Sequence, residues 1–147
     1  AGVVYVVPSN RDVTITDHSI ALETDLPGRP KPSIDRLLET AALRFGERMI
    51  AVILTGTGSD GADGARRVKE VGGTVVVQDP ETAQFPELPR SLAPSTVDIV
   101  ADLEQIGPLL RDLLTGMYTA LSPGEDRQFQ ALLDQLHRRA GPACPRM

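Results

Sequence analysis

Residues Met49 to Gly64 limit the possible folds more than any other stretch. The run MIAVIL is followed by TGTGSDGADG, a segment with four glycines and two aspartates. A short, continuous apolar run with a β-branched middle suits a strand covered on both faces, and the Gly-rich turn leads into a helical pattern. This predicts a central parallel strand, Met49 to Leu54, that delivers Asp60 to the C-terminal edge of the sheet. Ligands and chemistry collect at that edge in open α/β sheets.

The residues alone leave two functional readings and one structural reading open. Gly56-Thr57-Gly58-Ser59-Asp60-Gly61 satisfies G-x-G-x-x-G, and Asp79 closes the next strand run at nearly the spacing of a ribose-binding acid, so a Rossmann-type dinucleotide domain fits the pattern. Against it, a pyrophosphate needs bare N–H groups at a helix N-terminus, and Asp60 sets a negative charge among them. An acid there better serves a cation, a histidine or a hydrogen-bond donor. Structurally, Asp60 could simply cap the helix that starts near Ala62.

The rest of the chain builds a frame around this loop. Val3 to Val7 reads as a strand, followed by a hairpin with one wet face in which Val13, Ile15, Ile20 and Leu22 flank Asp17-His18. His18 reads as a solvated turn residue. Ser33 is placed to cap a helix with apolar residues at 34, 37, 38, 41, 42 and 45, stopped by Gly46. After the loop, a helix from about Ala62 to Val71 points Ala65, Val68 and Val71 inward and ends at Gly72-Gly73, and Thr74 to Gln78 forms a second buried strand. A long connection, Asp79 to Pro89, carries Phe85. A helical turn is expected at Arg90 to Ala93 and a last strand at Val97 to Val100. Leu103, Ile106, Leu110, Leu113, Leu114 and Met117 then mark a helical stripe, in which Pro108 is tolerable only in the first turn. Together these predict an α/β fold, a three-layer, mostly parallel doubly wound sheet with an antiparallel hairpin near the N-terminus.

Composition excludes several classes of function. At 147 residues, 41% hydrophobic and 24% charged, the chain can bury a real core. A net charge of -5 and the lack of a basic run argue against a nucleic-acid surface. No apolar stretch approaches the roughly 20 residues that span a bilayer, so no membrane insertion is expected. The one cysteine, Cys144, excludes an internal disulfide, and the expected location is cytoplasmic. Two histidines and one cysteine show no metal-ligand spacing, and no cofactor is expected.

Taken together, VVYVVPSNRDVTI, KPSIDRLLETAALRFG, LTGTGSDGADG and GGTVVVQDPETAQFPELPRSL resemble the catalytic domain of the chemotaxis receptor methylesterases, the CheB type, from about Gly2 to Leu110. The resemblance implies a protein-glutamate methylesterase that hydrolyses γ-glutamyl methyl esters on the cytoplasmic helices of chemoreceptors. Asp60 matches the acid of the family's Ser-His-Asp triad, and the Thr57 N–H matches an oxyanion-hole donor. Ser33, Asp35 and Phe85 match positions near the cleft, although capping is the expected role of the first two. Thr57 and Glu87-Leu88-Pro89 resemble the subclass fused to a receptor methyltransferase.

In that family the nucleophile and the histidine lie before the segment that matches Ala1, and none of the seven serines here has a nucleophile-turn context. The expectation is an N-terminally truncated methylesterase that is inactive alone, or else a catalytically silent interaction module. A sheet missing its first strands would expose an edge, so self-association is expected. Residues 1–118 are read as the methylesterase-like domain, 119–125 as a linker, and 126–147 as a helix resembling the start of a receptor methyltransferase.

Overall fold

A computed structural model describes residues 2–17, 19–23 and 32–120, with backbone alone for 117–120. His18, most of the expected linker and the last helix lie outside the described residues. Three parallel strands form the main sheet in the order β3 (Ile50–Ile53), β4 (Thr74–Gln78) and β5 (Ile99–Ala101). β4 is buried at every position, as a continuous β-branched run predicts. β3 alternates between half-buried and buried residues and pairs with β4 alone among the described residues. The strand expected at the centre is therefore an edge strand here, because its far side has no described partner.

Alternating side chains of this sheet fill two cores. Ala51, Ile53, Val75 and Val77 meet helices α1 (Ile34–Phe45) and α2 (Ala62–Glu70) on one face. Val76, Ile99 and Ala101 meet Ile106, Leu109 and Leu113 of helix α4 (Leu103–Ala120) on the other. Val68 and Leu113 are fully buried, each contributing about 1.5–3 kcal/mol of apolar burial. The result is the three-layer arrangement read from the sequence.

The ends of α1 follow their local chemistry. Ser33 Oγ accepts from Arg36 N at 3.3 Å, and Gly46, at φ 55°, closes the helix with its N–H on Ala42 O. Phe45, expected on the inner stripe, is exposed beneath Arg44, whose guanidinium lies 5.5 Å from the ring centre. A short helix α3 (Glu87–Ser91) sits slightly earlier than predicted, since Pro89 in its first turn needs no N–H partner. In α4 the buried stripe runs through Ile106, Leu109 and Leu113, while Leu103 and Leu114 are exposed. Pro108 lies past the first turn, where it forgoes a bond to Glu104. α4 continues through Thr119 and Ala120, the first two residues of the expected linker.

Strands β1 (Asp12–Ile15) and β2 (Ile20–Glu23) form the predicted hairpin and pack on α1. The expected wet face holds only in part: β1 is buried on both faces, with Val13 at 6% exposure beside Asp12 and Thr14 at 2% and 6%, whereas in β2 the apolar Ile20 and Leu22 are the outer residues, at 42% and 56%. Asp12 is buried because its carboxylate accepts from Ser33 N at 2.8 Å, and Ile15 N donates to Thr40 Oγ1 at 3.0 Å. Arg36 pairs with Glu23 at 2.5 Å across the same junction. Val3 to Val7 is not a strand. Without a described neighbour to pair with, Val3, Val4, Tyr5 and Val6 stand 63–87% exposed.

Candidate active site

The loop after β3 is tied to the segment before α3. Gly56 N donates to Phe85 O at 2.9 Å, and Leu88 N donates back to Gly56 O at 3.0 Å. A Cβ on Gly56 would stand 3.0 Å from Leu88 Cδ2, so a side chain there would push the two segments apart. Thr55 N donates to Gln78 Oε1 and Phe85 N to Thr55 Oγ1, while Gly58 N donates to the Glu87 carboxylate at 3.1 Å. Gly58 and Gly61 turn the chain at φ 76° and 124°, conformations that other residues adopt only with strain.

This turn aims Asp60 at the start of α1, not at its own helix. Ile34 N donates to Asp60 Oδ2 at 2.7 Å, and Asp35 N to Oδ1 at 3.0 Å. Asp35 returns the arrangement, its Oδ1 accepting from Gly61 N at 2.9 Å and Gly64 N at 2.7 Å, at the start of α2. Each carboxylate thus satisfies N–H groups that a helix N-terminus leaves open, where the helix dipole also favours negative charge. The structural alternative, in which Asp60 caps the helix near Ala62, is not what the structure shows: Asp35 of the neighbouring helix caps it. Burial, with Asp60 as a neighbouring charge, pushes the Asp35 carboxyl above its ordinary range, although the Gly64 and Gly61 N–H groups pull the other way.

Asp60 and Asp35 lie in the wall of an open cleft of about 650 Å³, together with Ser33, Arg36, Thr57 and Gly58. The structure therefore brings together four of the residues singled out from sequence: Asp60, Thr57, Ser33 and Asp35. Phe85 is not part of the cleft wall. Its ring is half-exposed, and its backbone serves to tie the two loops. Among the described residues the Thr57 N–H has no acceptor. Sequence reasoning missed Arg36 and Glu39, which also line the cleft. Their three-residue spacing from Ser33 was the available signal, because it puts all three along one side of α1. The Arg36 Nε is buried and has no hydrogen-bond partner among the described residues.

The sequence profile of the CheB methylesterase family matches residues 1–110. The chain belongs to the CheB methylesterase family. A Leptospira interrogans relative is 44% identical over 112 residues, 74% of this chain and 58% of its own length. A Moorella thermoacetica protein named protein-glutamate methylesterase/protein-glutamine glutaminase is 37% identical, covering 78% of this chain and 29% of that protein. The crystal structure of the Thermotoga maritima CheB methylesterase catalytic domain superimposes with a TM-score of 0.61 at 31% identity, over 71% of this chain and 58% of that one. The chain thus spans a little over half the length of the Leptospira protein and of the Thermotoga domain, and under a third of the Moorella protein.

Within this CheB-family domain, the glycine loop does not have the character of a dinucleotide site. The N–H groups of Gly56, Gly58, Gly61 and Gly64 already serve Phe85 O, the Glu87 carboxylate and the Asp35 carboxylate. A pyrophosphate would have to displace two internal anions. No group of three or more metal-ligating side chains converges among the described residues, and no described helix is long and apolar enough to cross a membrane.

Proposed function

We propose that this chain supplies the acid side of a protein-glutamate methylesterase site, with Asp60 as the orienting acid and the Thr57 N–H as an oxyanion donor. The observation that carries the reading is the fixing of both Asp60 oxygens by backbone N–H groups of α1 in the wall of the cleft that also holds Thr57. Each carboxylate oxygen has a second lone pair. One of these can accept the Nδ1–H of a histidine, setting its tautomer and stabilising the imidazolium.

The serine and histidine are assigned to the family segment that precedes the match to Ala1. Serine Oγ attacks the γ-carbonyl carbon while histidine takes the hydroxyl proton. The C–O bond to methoxide then breaks, and that proton leaves with it as methanol. Water, deprotonated by the same histidine, adds to the acyl carbon; the bond to serine Oγ breaks, the proton returns to the serine, and glutamate is restored. The Thr57 N–H donates to the oxygen that gains charge in both steps. The substrates are methylated helices of chemoreceptors in the cytoplasm. The edge of β3, which has no partner among the described residues, and the exposed Val3 to Val6 favour self-association of the isolated chain.

The test is methanol release from methylated receptor by this chain, by a polypeptide extended upstream through the family's serine and histidine, and by that polypeptide with Asp60→Asn. Expected are no release, release, and release reduced on the order of 10⁴-fold. Asp60→Asn also turns one oxygen into a donor facing a helix N–H, so all rates are taken where circular dichroism shows each variant folded. Undiminished release by folded Asp60→Asn overturns the reading.

A further inference from the structure

Asp35 occupies an unusual place: its backbone and its side chain act on the same neighbour. Its N–H holds Asp60 Oδ1 at 3.0 Å. Its carboxylate holds Gly61 N, the peptide directly after Asp60, at 2.9 Å, and Gly64 N one turn into α2 at 2.7 Å. The two helices meet closely at this point, since a Cβ on Gly64 would lie 3.0 Å from Asp35 Cα and 2.7 Å from Leu38 Cβ. The turn that carries Asp60 is therefore gripped on both sides by one residue of α1.

We propose that Asp35 is a positioning residue for the reaction: its carboxylate sets the backbone of the Asp60 turn, so that Asp60 presents its free lone pairs into the cleft at a fixed angle. Asp35 does not touch the reacting atoms in this scheme. Its two N–H bonds lock the peptide from which the Asp60 side chain springs, while its own N–H locks the other end of that side chain. Losing the clamp leaves the Ile34 and Asp35 N–H groups on Asp60 but lets the turn drift. A displacement of about 1 Å at a catalytic group costs on the order of 10²-fold in rate. The clamp depends on an acceptor at the Oδ1 position rather than on charge. An amide oxygen can fill that position, whereas a carboxylate moved outward by one methylene cannot.

This inference rests on the assignment of Asp60 as the orienting acid, and the experiment separates the two. In the extended polypeptide, methanol release is measured for Asp35→Asn, Asp35→Glu, Asp35→Ala and Asp60→Asn, each at a temperature where it is folded. Asp35→Asn should keep kcat within a few-fold, while Asp35→Glu and Asp35→Ala should lower it by about 100-fold with KM nearly unchanged. If Asp35→Ala does not fold, the ranking of Asn above Glu still decides. In this chain, the Gly61 and Gly64 amide protons should shift with pH in step with the Asp35 carboxyl and lose that dependence in Asp35→Asn. A folded Asp35→Glu as fast as the parent, or Asp35→Asn as slow as Asp35→Ala, overturns the clamp even if Asp60→Asn is inactive. An active Asp60→Asn instead removes the assignment beneath it.

Discussion

Replacing Gly64 by alanine should destabilise this protein, although the same change in an ordinary helix stabilises it. Gly64 lies in the first turn of α2, and alanine is favoured over glycine in helices by about 1 kcal/mol. Here the added methyl would meet Leu38 Cβ at 2.7 Å and the Asp35 backbone at 3.0 and 3.1 Å. Ordinary contact requires α1 and α2 to separate by about 0.7 Å, and overpacking of that kind costs about 1–3 kcal/mol. The same movement stretches the 2.7 Å bond from Gly64 N to Asp35, a hydrogen bond to a charged group worth about 1.5–3 kcal/mol. After the propensity gain is subtracted, a net loss of about 1.5–5 kcal/mol remains. Urea titration followed by circular dichroism reads this as a lower midpoint at unchanged slope. An unchanged or raised midpoint would mean that the helices can part freely, and that the grip of Asp35 on α2 is not a fixed feature of the fold.

The reciprocal caps predict unequal effects of two truncations at α1. Asp60→Ala, which strands two half-buried N–H groups, should cost about 2–4 kcal/mol, against about 0.5–1 kcal/mol for Ser33→Ala, both read by urea unfolding. The raised Asp35 carboxyl gives a pH signature. The folded state holds this proton more tightly than the unfolded chain, so stability contributed below the ordinary value of 3.8 is lost as pH rises through the folded one. Asp35→Asn should abolish that loss, so the variant gains on the parent between acid and neutral pH; a parallel pair of stability curves would contradict the assignment. Light scattering across a concentration series should show self-association of this chain, and a clean monomer would mean that the open sheet edge is covered. Limited proteolysis should cut near Leu121 to Glu125 and leave the α/β core folded; a core that unfolds on losing residues 126–147 would make that segment part of this domain.

Local pattern revealed the frame well, because its signals are short-range. The MIAVIL run, the Ser33 and Gly46 boundaries of α1, and the Gly72-Gly73 exit from α2 each act within a few residues of where they are written. The partners of Asp60 are 25 and 26 residues away in sequence, at the start of another helix. Nothing in the loop says which helix its carboxylate will cap, so the sequence suggested the nearer one. The hairpin was half misread for a related reason: alternation finds two faces, and only the packing of Asp12 against Ser33 says that the polar side of β1 is covered as well as the Val13 side. The α4 stripe shows the limit of periodicity, since Leu109, outside the stripe read from sequence, is buried in the core while Leu110 packs against it half-buried. Val3 to Val7 has the composition of a strand, but a strand exists only where another chain segment accepts its hydrogen bonds.

The glycine loop also explains how one sequence pattern can serve two chemistries. Glycines at 56, 58, 61 and 64 free the backbone to turn and to approach its neighbours, and successive exposed N–H groups at a helix start attract an anion. In a dinucleotide site that anion is the ligand. Here it is built in, as the carboxylates of Asp35 and Glu87, and the helix start becomes part of the scaffold. Once internal anions satisfy the loop, its own acid, Asp60, no longer competes with a phosphate and can be turned onto the start of α1. The G-x-G-x-x-G spacing therefore specifies the backbone geometry, and the acids around it decide what the geometry is for. Asp60 within the motif, Asp35 across the helix interface and Glu87 over Gly58 together shift this loop from binding an external anion to presenting an acid of its own.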